Sequence, residues 1–293
     1  MIVERSFNTG IVKLNYAEGP PAGPPLVLLH GVPGRWQEFL PLVPNLILQW
    51  HVFAIDFRGQ GKSGRVPGGY LSKYYVEDVK EFLQQQFDEP TILFGLSAGG
   101  MVALGVAAQV PELVRGIIVG DSPIDMNQLV SWMTSERFKY FFNTLKSIAV
   151  SSQSLAEIEK ELASIPIQIN GQAKPIRYAD SPGIDFLHIQ QLAITLSQMD
   201  PRVLEYHAEG RASAFLEGFD LDEILKKIPC PVLLLQGNPA SGGMMTDEAV
   251  LHVRSIVQNV MHVLIKTAGH DLGLANWEVA PLMRAVTSFL ATL

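Results

Sequence analysis

Short apolar runs, each bounded by turn-forming residues, constrain the fold of this chain more tightly than any other feature. They fall at 26–29, 52–55, 91–94, 116–119, 232–235 and 261–265. Their apolar character is nearly continuous rather than alternating, which is the pattern of parallel strands covered on both faces. Stretches of helical character at 74–87, 99–109 and 278–290 separate or follow them. A chain that alternates strand and helix in this way forms an α/β architecture, a doubly wound and mostly parallel sheet with right-handed crossovers.

The alternation stops between 126 and 218. Apolar residues there recur at Leu129, Trp132, Met133, Phe138, Phe141, Phe142, Leu145 and Ile148 without strand signals. A second short helix has Leu155, Ile158, Leu162 and Ile165 in step. The expected organisation is a core domain, 1–125 and 219–293, interrupted by a helical insertion, 126–218, placed to act as a cap. Most of its aromatic residues should form the insertion's own core and a few should line a pocket.

Composition narrows the function. Apolar residues make up 47% and charged residues 17% of the chain, which suits a packed globular protein and not a disordered one. Lys and Arg number 22 against 29 for Asp and Glu, a formal charge of -7, so nucleic acid and anionic membrane are not expected partners. Cys230 is the only cysteine, which excludes an intramolecular disulfide and a thiolate metal cluster and fits a reducing compartment. Glu4 interrupts the N-terminal stretch and no apolar run approaches the ~20 residues that span a bilayer, so a cytoplasmic, soluble protein acting on a small molecule is expected. Homo-oligomerisation is left open.

The strongest local motif follows the run at 91–94. Gly95-Leu96-Ser97-Ala98-Gly99 turns from a strand straight into a helix rich in Ala, Val and Leu. Such a turn strains the serine backbone, and glycines two residues to either side remove the Cβ atoms that would collide. The hydroxyl of Ser97 is thereby presented above the sheet as a nucleophile. After the run at 26–29 comes His30-Gly31-Val32-Pro33-Gly34, a turn at the edge where an α/β sheet meets its ligand. The amides of Val32 and Ala98 are candidate donors to the oxyanion of a tetrahedral acyl intermediate. His30 is expected to brace its loop rather than act as a base. Gly269-His270 lies in a loop beyond the last apolar run, and His270 is the candidate general base for Ser97. His51, His188, His207, His252 and His262 lack such placement and are expected to be structural or surface residues.

These motifs, together with Asp56-Phe57-Arg58-Gly59-Gln60-Gly61-Lys62-Ser63 after the second run, make the chain resemble the α/β-hydrolase superfamily over nearly its whole length. The similarity is to its capped, serine-nucleophile branch, which includes esterases and carbon-carbon bond hydrolases. It implies a cap over the site and neither metal nor organic cofactor. Relatives that hydrolyse epoxides or haloalkanes carry a carboxylate where this chain has Ser97, so those reactions are not expected.

One departure concerns the acid. The family's usual position, in the loop after 232–235, is occupied here by Asn238-Pro239-Ala240-Ser241. Some relatives carry the acid after the preceding strand, which here leads into Asp121-Ser122-Pro123. Asp121 is therefore the expected orienter of His270, with an Asx turn as its competing role and with Asp125, Asp247 or no acid at all as alternatives. The glycine pattern at 59–64 mimics a nucleotide-binding loop, but Pro67, Gly68 and Gly69 follow it instead of a helix. The expected activity is hydrolysis of a small, mainly apolar ester through an acyl-enzyme. Its rivals are carbon-carbon hydrolysis of a diketone, for whose carboxylate Arg177, Arg202 and Arg211 are available but read better as surface charges and are not assigned, and a ligand sensor built on the same fold.

Overall fold

The computed structural model describes residues 2–168 and 174–293, so Met1 and residues 169–173 of the insertion lie outside the described residues. In chain order the strands are β1 (Val3–Asn8), β2 (Lys13–Glu18), β3 (Pro25–Leu29), β4 (His51–Ile55), β5 (Thr91–Leu96), β6 (Val114–Gly120), β7 (Pro166–Ile167), β8 (Ile176–Arg177), β9 (Val232–Gly237) and β10 (Val260–Ile265). All except β7 and β8 join one sheet in the order β1-β2-β4-β3-β5-β6-β9-β10. Pairing is parallel from β4 to β10, while β1 and β2 are added antiparallel at one edge.

The helices around the sheet include α1 (Val43–Leu46), α2 (Ser72–Gln86), α3 (Ala98–Gln109), then α4 (Met126–Thr134), α5 (Glu136–Val150), α6 (Leu155–Ser164), α7 (Phe186–Gln198), α8 (Glu205–Ala208) and α9 (Ala212–Phe215) within the insertion, and α10 (Leu221–Leu225), α11 (Asp247–Ile256) and α12 (Ala280–Leu290) after it. None of the described helices is long and apolar enough to cross a membrane.

The period-two geometry of a strand explains the continuous apolar runs. Val27, Leu29, Leu93, Ile117, Val119, Val232 and Leu234 pack with α2, α3, α11 and the insertion. Their neighbours Leu26, Leu28, Ile92, Phe94, Ile118, Leu233 and Leu235 pack on the opposite face with α1 and α12. Both faces are buried, so both sets of side chains are apolar.

Three expectations change. The run at 261–265 is not covered on both faces: β10 pairs with β9 alone, at the edge of the sheet, and of its residues Ile265 is buried while Leu264 is exposed. The insertion is not free of strands, because β7 and β8 pair antiparallel within it. Its first helical stretch is two helices. Ser135 breaks it, in extended conformation, with its hydroxyl accepting a hydrogen bond from the Phe138 amide at 3.3 Å. β1 carries no apolar pattern in the sequence, because its residues other than Phe7 are exposed.

The glycine-rich turn after β4 folds around buried side chains. Asp56 accepts hydrogen bonds from the amides of Trp36 (2.7 Å) and Lys62 (2.9 Å) and from Asn15 Nδ2 (2.8 Å). Arg58 is buried and forms a bidentate pair with Asp78 of α2, both contacts at 2.6 Å, and donates to the Gly69 carbonyl at 3.1 Å. Removing one member strands the other charge. Arg58→Met is expected to lower stability by about 3–5 kcal/mol, and the double replacement Arg58→Met with Asp78→Leu to recover most of that loss. Urea denaturation of the three proteins checks this, and a single-replacement loss under about 1 kcal/mol would refute it.

Candidate active site

The site lies at the carboxyl ends of the parallel strands. Between the last residue of β5, Leu96, and the first of α3, Ala98, stands Ser97 alone, at φ 54° and ψ -122°. A non-glycine residue held there costs roughly 1–3 kcal/mol. Backbone bonds offset the strain: the Ser97 amide donates to the Gly120 carbonyl at 2.8 Å, and its carbonyl accepts from the Gly100 amide at 3.0 Å. A Cβ on Gly99 would lie 2.1 Å from the Leu29 carbonyl oxygen, and one on Gly95 would lie 2.1 Å from that of Gly99. The elbow closes only because both positions carry hydrogen.

The loop after β3 is drawn against the serine. A Cβ on Gly31 would sit 3.2 Å from Ser97 Cβ. His30 holds this loop: its Nε2 accepts from the Phe57 amide at 3.0 Å, so Nδ1 carries the proton and donates to the Gly31 carbonyl at 2.7 Å. Burial pushes the His30 pKa down, in keeping with the neutral ring that this pattern requires. Among the described residues the amides of Val32 and Ala98 donate to no acceptor, and both residues line the same cavity as Ser97.

Asp121 follows β6 with φ 38° and is sealed from solvent. Its Oδ1 accepts from the amides of Gly237 (2.8 Å) and Met245 (3.1 Å), and its Oδ2 from the amide of Met244 (2.7 Å) and from His270 Nδ1 (2.8 Å). Donation from Nδ1 fixes the neutral tautomer of His270 with its lone pair on Nε2. The other aspartates are engaged elsewhere. Asp125 caps α4 by accepting from the Gln128 amide at 3.0 Å, and Asp247 accepts from Gln236 Nε2 at 2.8 Å. Asn238, where the family's usual acid would stand nearby, accepts from the Ala240 amide at 3.0 Å and so closes its own turn.

Ser97 and His270 face a common cavity of about 730 Å³. No hydrogen bond joins them among the described residues; such bonds are often long before substrate binds. The insertion supplies the opposite wall, with Trp132, Phe138, Phe141, Tyr178, Leu192 and Phe215 among its residues. Two histidines expected to be structural or surface residues lie in this wall as well. His188 shares a 2.9 Å hydrogen bond with the Tyr178 hydroxyl, and His207 is enclosed by phenylalanines. No motif marks either in the sequence, because only the packing of α7 and α8 turns them inward. The remaining histidines lie elsewhere: His51 meets Glu18, His252 meets Asp222, and His262 meets Gln236 Oε1.

Desolvation controls the charge of the wall. It pushes His207 down to about 4, and lowers His188 against the attraction of Asp271 and Asp185. It raises Glu38, which also lines the cavity, to about 8 despite the neighbouring Arg35. The arginines of the insertion considered above are exposed and paired, Arg177 with Asp180, Arg202 with Asp200 and Arg211 with Glu205 and Glu209. Arg137 is the one cation in the cavity lining among the described residues.

A family model described as alpha/beta hydrolase fold matches residues 24–276. A serine hydrolase-like protein from Danio rerio is 36% identical over 106 residues, which are 36% of this chain and 32% of that protein. A 2-(acetamidomethylene)succinate hydrolase from Mesorhizobium japonicum is 29% identical over 119 residues, 41% of this chain and 42% of its own length. These two matches thus span well under two thirds of the relatives they align with. A 3-hydroxybutyrate-oligomer hydrolase from Cupriavidus necator is 24% identical across 89% of this chain and 88% of that protein. Among solved structures, E-2-(acetamidomethylene)succinate hydrolase superposes with a TM-score of 0.75 at 20% identity, covering 99% of this chain and 100% of the other.

The buried imidazoles make stability acid-sensitive. His207 has a folded pKa of about 4 against 6.5 unfolded, so the folded state binds fewer protons. Its contribution is intact above pH ~6.5 and is lost as pH falls towards ~4, by about 3 kcal/mol. Urea midpoints measured from pH 8 to 4 should fall less steeply for His207→Phe than for the parent protein. Parallel curves would show that the ring is not sealed.

Proposed function

The chain belongs to the alpha/beta hydrolase fold family, and from that premise and the geometry of its site we propose that it is a serine hydrolase of small, mainly apolar esters. The observation that carries the reading is the convergence on one cavity of the strained Ser97 and of His270, whose far nitrogen is bonded to Asp121 at 2.8 Å. The insertion 126–218 serves as the cap that closes this cavity over the substrate. A curated relative named as a 3-hydroxybutyrate-oligomer hydrolase, aligned over most of both chains, is in keeping with ester cleavage.

In this reading Ser97 Oγ attacks the carbonyl carbon of the ester while His270 Nε2 takes its proton. The carbonyl oxygen becomes an oxyanion held by the unengaged amides of Val32 and Ala98. The imidazolium that forms is stabilised through Nδ1 by Asp121. It passes the proton to the departing alkoxide, and the alcohol leaves an acyl group on Ser97. Water then attacks the acyl carbon with His270 again as base, releasing the acid and restoring the hydroxyl.

A second reading, carbon-carbon hydrolysis of a diketone bearing a carboxylate, is favoured by Arg137, an exposed cation in the cavity lining. The arginines of the insertion first considered for that task are engaged by carboxylates instead. Aryl esters and a ring-fission diketone tested side by side separate the two reactions.

A fluorophosphonate should label the protein once, at Ser97, and Ser97→Ala should abolish both labelling and turnover; esterase activity surviving in that variant would overturn the assignment. Asp121→Asn should lower kcat by roughly 10²–10⁴-fold with a small change in KM. Steady-state kinetics check this, and unchanged turnover would remove Asp121 from the mechanism. Absence of labelling and of turnover in the folded protein would favour a ligand sensor.

A further inference from the structure

His207 is a polar side chain with no hydrogen-bond partner among the described residues. Its residue is 6% exposed. The ring stacks on Phe142 at a centroid distance of 4.9 Å and on Phe138 at 6.2 Å, and meets Phe215 at 4.7 Å. Nδ1 is sealed and unpartnered. Nε2 is not among the sealed atoms and also has no protein partner among the described residues, so the little of the ring that remains open faces the cavity it lines.

Leaving a buried polar group unmet is destabilising. In a cage of phenylalanines, another phenylalanine would avoid that cost, so the histidine calls for a partner that the described residues do not supply. Sealed N–H groups are rarer than sealed lone pairs, which puts the lone pair on Nδ1 and the proton on Nε2. The ring therefore directs a donor into the cavity. Burial keeps it uncharged near neutral pH, and no charged group offsets that effect. A carboxylate brought against the uncharged His207 ring and its phenylalanines would gain no charge compensation from them, whereas an uncharged oxygen would not need it. The cavity, at about 730 Å³, has room for a ligand extending well beyond a single ester group.

We propose that His207 is a specificity-determining residue, which donates a hydrogen bond from Nε2 to an uncharged carbonyl or hydroxyl oxygen of the substrate remote from the scissile ester. The favoured substrates are then oxo- or hydroxyacyl esters, or compounds with more than one ester group, in preference to plain alkanoates. The inference rests on the reading of Ser97 as the nucleophile for its substrate class.

Its test measures binding, so it does not depend on turnover. Ser97→Ala protein is titrated calorimetrically with phenyl hexanoate and with the phenyl esters of 3-, 4- and 5-oxohexanoic acid. At least one oxo ester should bind about tenfold tighter than the hexanoate. Adding His207→Phe should abolish that advantage, so that the oxo ester binds no tighter than the hexanoate. His207→Gln, which keeps a donor, should retain part of it and guards against misfolding of the phenylalanine variant. A lack of preference for any oxo ester, or a preference that survives His207→Phe, would overturn the proposal. If the parent protein binds the esters with this preference and hydrolyses none, the nucleophile reading fails while the recognition role stands.

Discussion

The carboxylate of Asp121, enclosed at the end of β6, receives hydrogen bonds from Gly237 at the end of β9, from Met244 and Met245 in the loop beyond it, and from His270 after β10. Segments far apart in sequence are thereby fastened to one group. A buried carboxylate is tolerable only where donors surround it, so the position of this one dictates the paths of the loops that supply them. The orientation of His270 depends on the same arrangement, since the ring nitrogen facing the cavity is the one that Asp121 leaves free. Loop path and imidazole tautomer follow from one electrostatic requirement.

The parallel sheet makes that requirement possible to meet. Gly120 pairs with Leu235, and Gly95 pairs with both Leu29 and Val119, so the residues just past these strands emerge close together along one edge. This much was legible in the sequence, because a strand buried on two faces has to be apolar at successive positions. Where a strand is covered less completely the same logic fails. In β1 all residues but Phe7 are exposed, and the apolar residues of β10 stand at an open edge, which composition alone does not distinguish from the interior. The break at Ser135 escaped for another reason, since a serine cap and a helix-interior serine look alike until the backbone direction is known.

Around the cavity, legibility followed how local each physical cause is. The turn at Ser97 demands glycine at fixed offsets, a constraint written within five consecutive residues. The acid is a longer-range matter. Chain order indicates that Asp121, Asp125 and Asp247 follow strands at the relevant edge, but the choice among their surroundings is made by register, which sets Asp121 level with the Gly237 amide. His188 and His207 are less legible still. Their entry into the cavity depends on the rotation of α7 against α6 and of α8 against α5, and helical periodicity does not encode the phase of one element relative to another.

The wall built by the insertion also changes the medium in which chemistry at Ser97 would occur. Removal of water drives His207 and His188 towards their neutral forms and Glu38 towards its protonated form, so three titratable groups contribute little charge near pH 7. With little charge in the wall to compete with them, fixed dipoles act at greater strength once a substrate displaces solvent. The amides of Val32 and Ala98, held by a braced loop and by the start of α3, are dipoles of this kind. In the proposed reaction they would need no reorganisation as negative charge develops on a substrate oxygen. If Ser97 is the nucleophile we propose, the apolar insertion and the glycine-tight elbow, which look unrelated in the sequence, would act on the same energy: one would lower the dielectric around the oxyanion and the other would set where it forms.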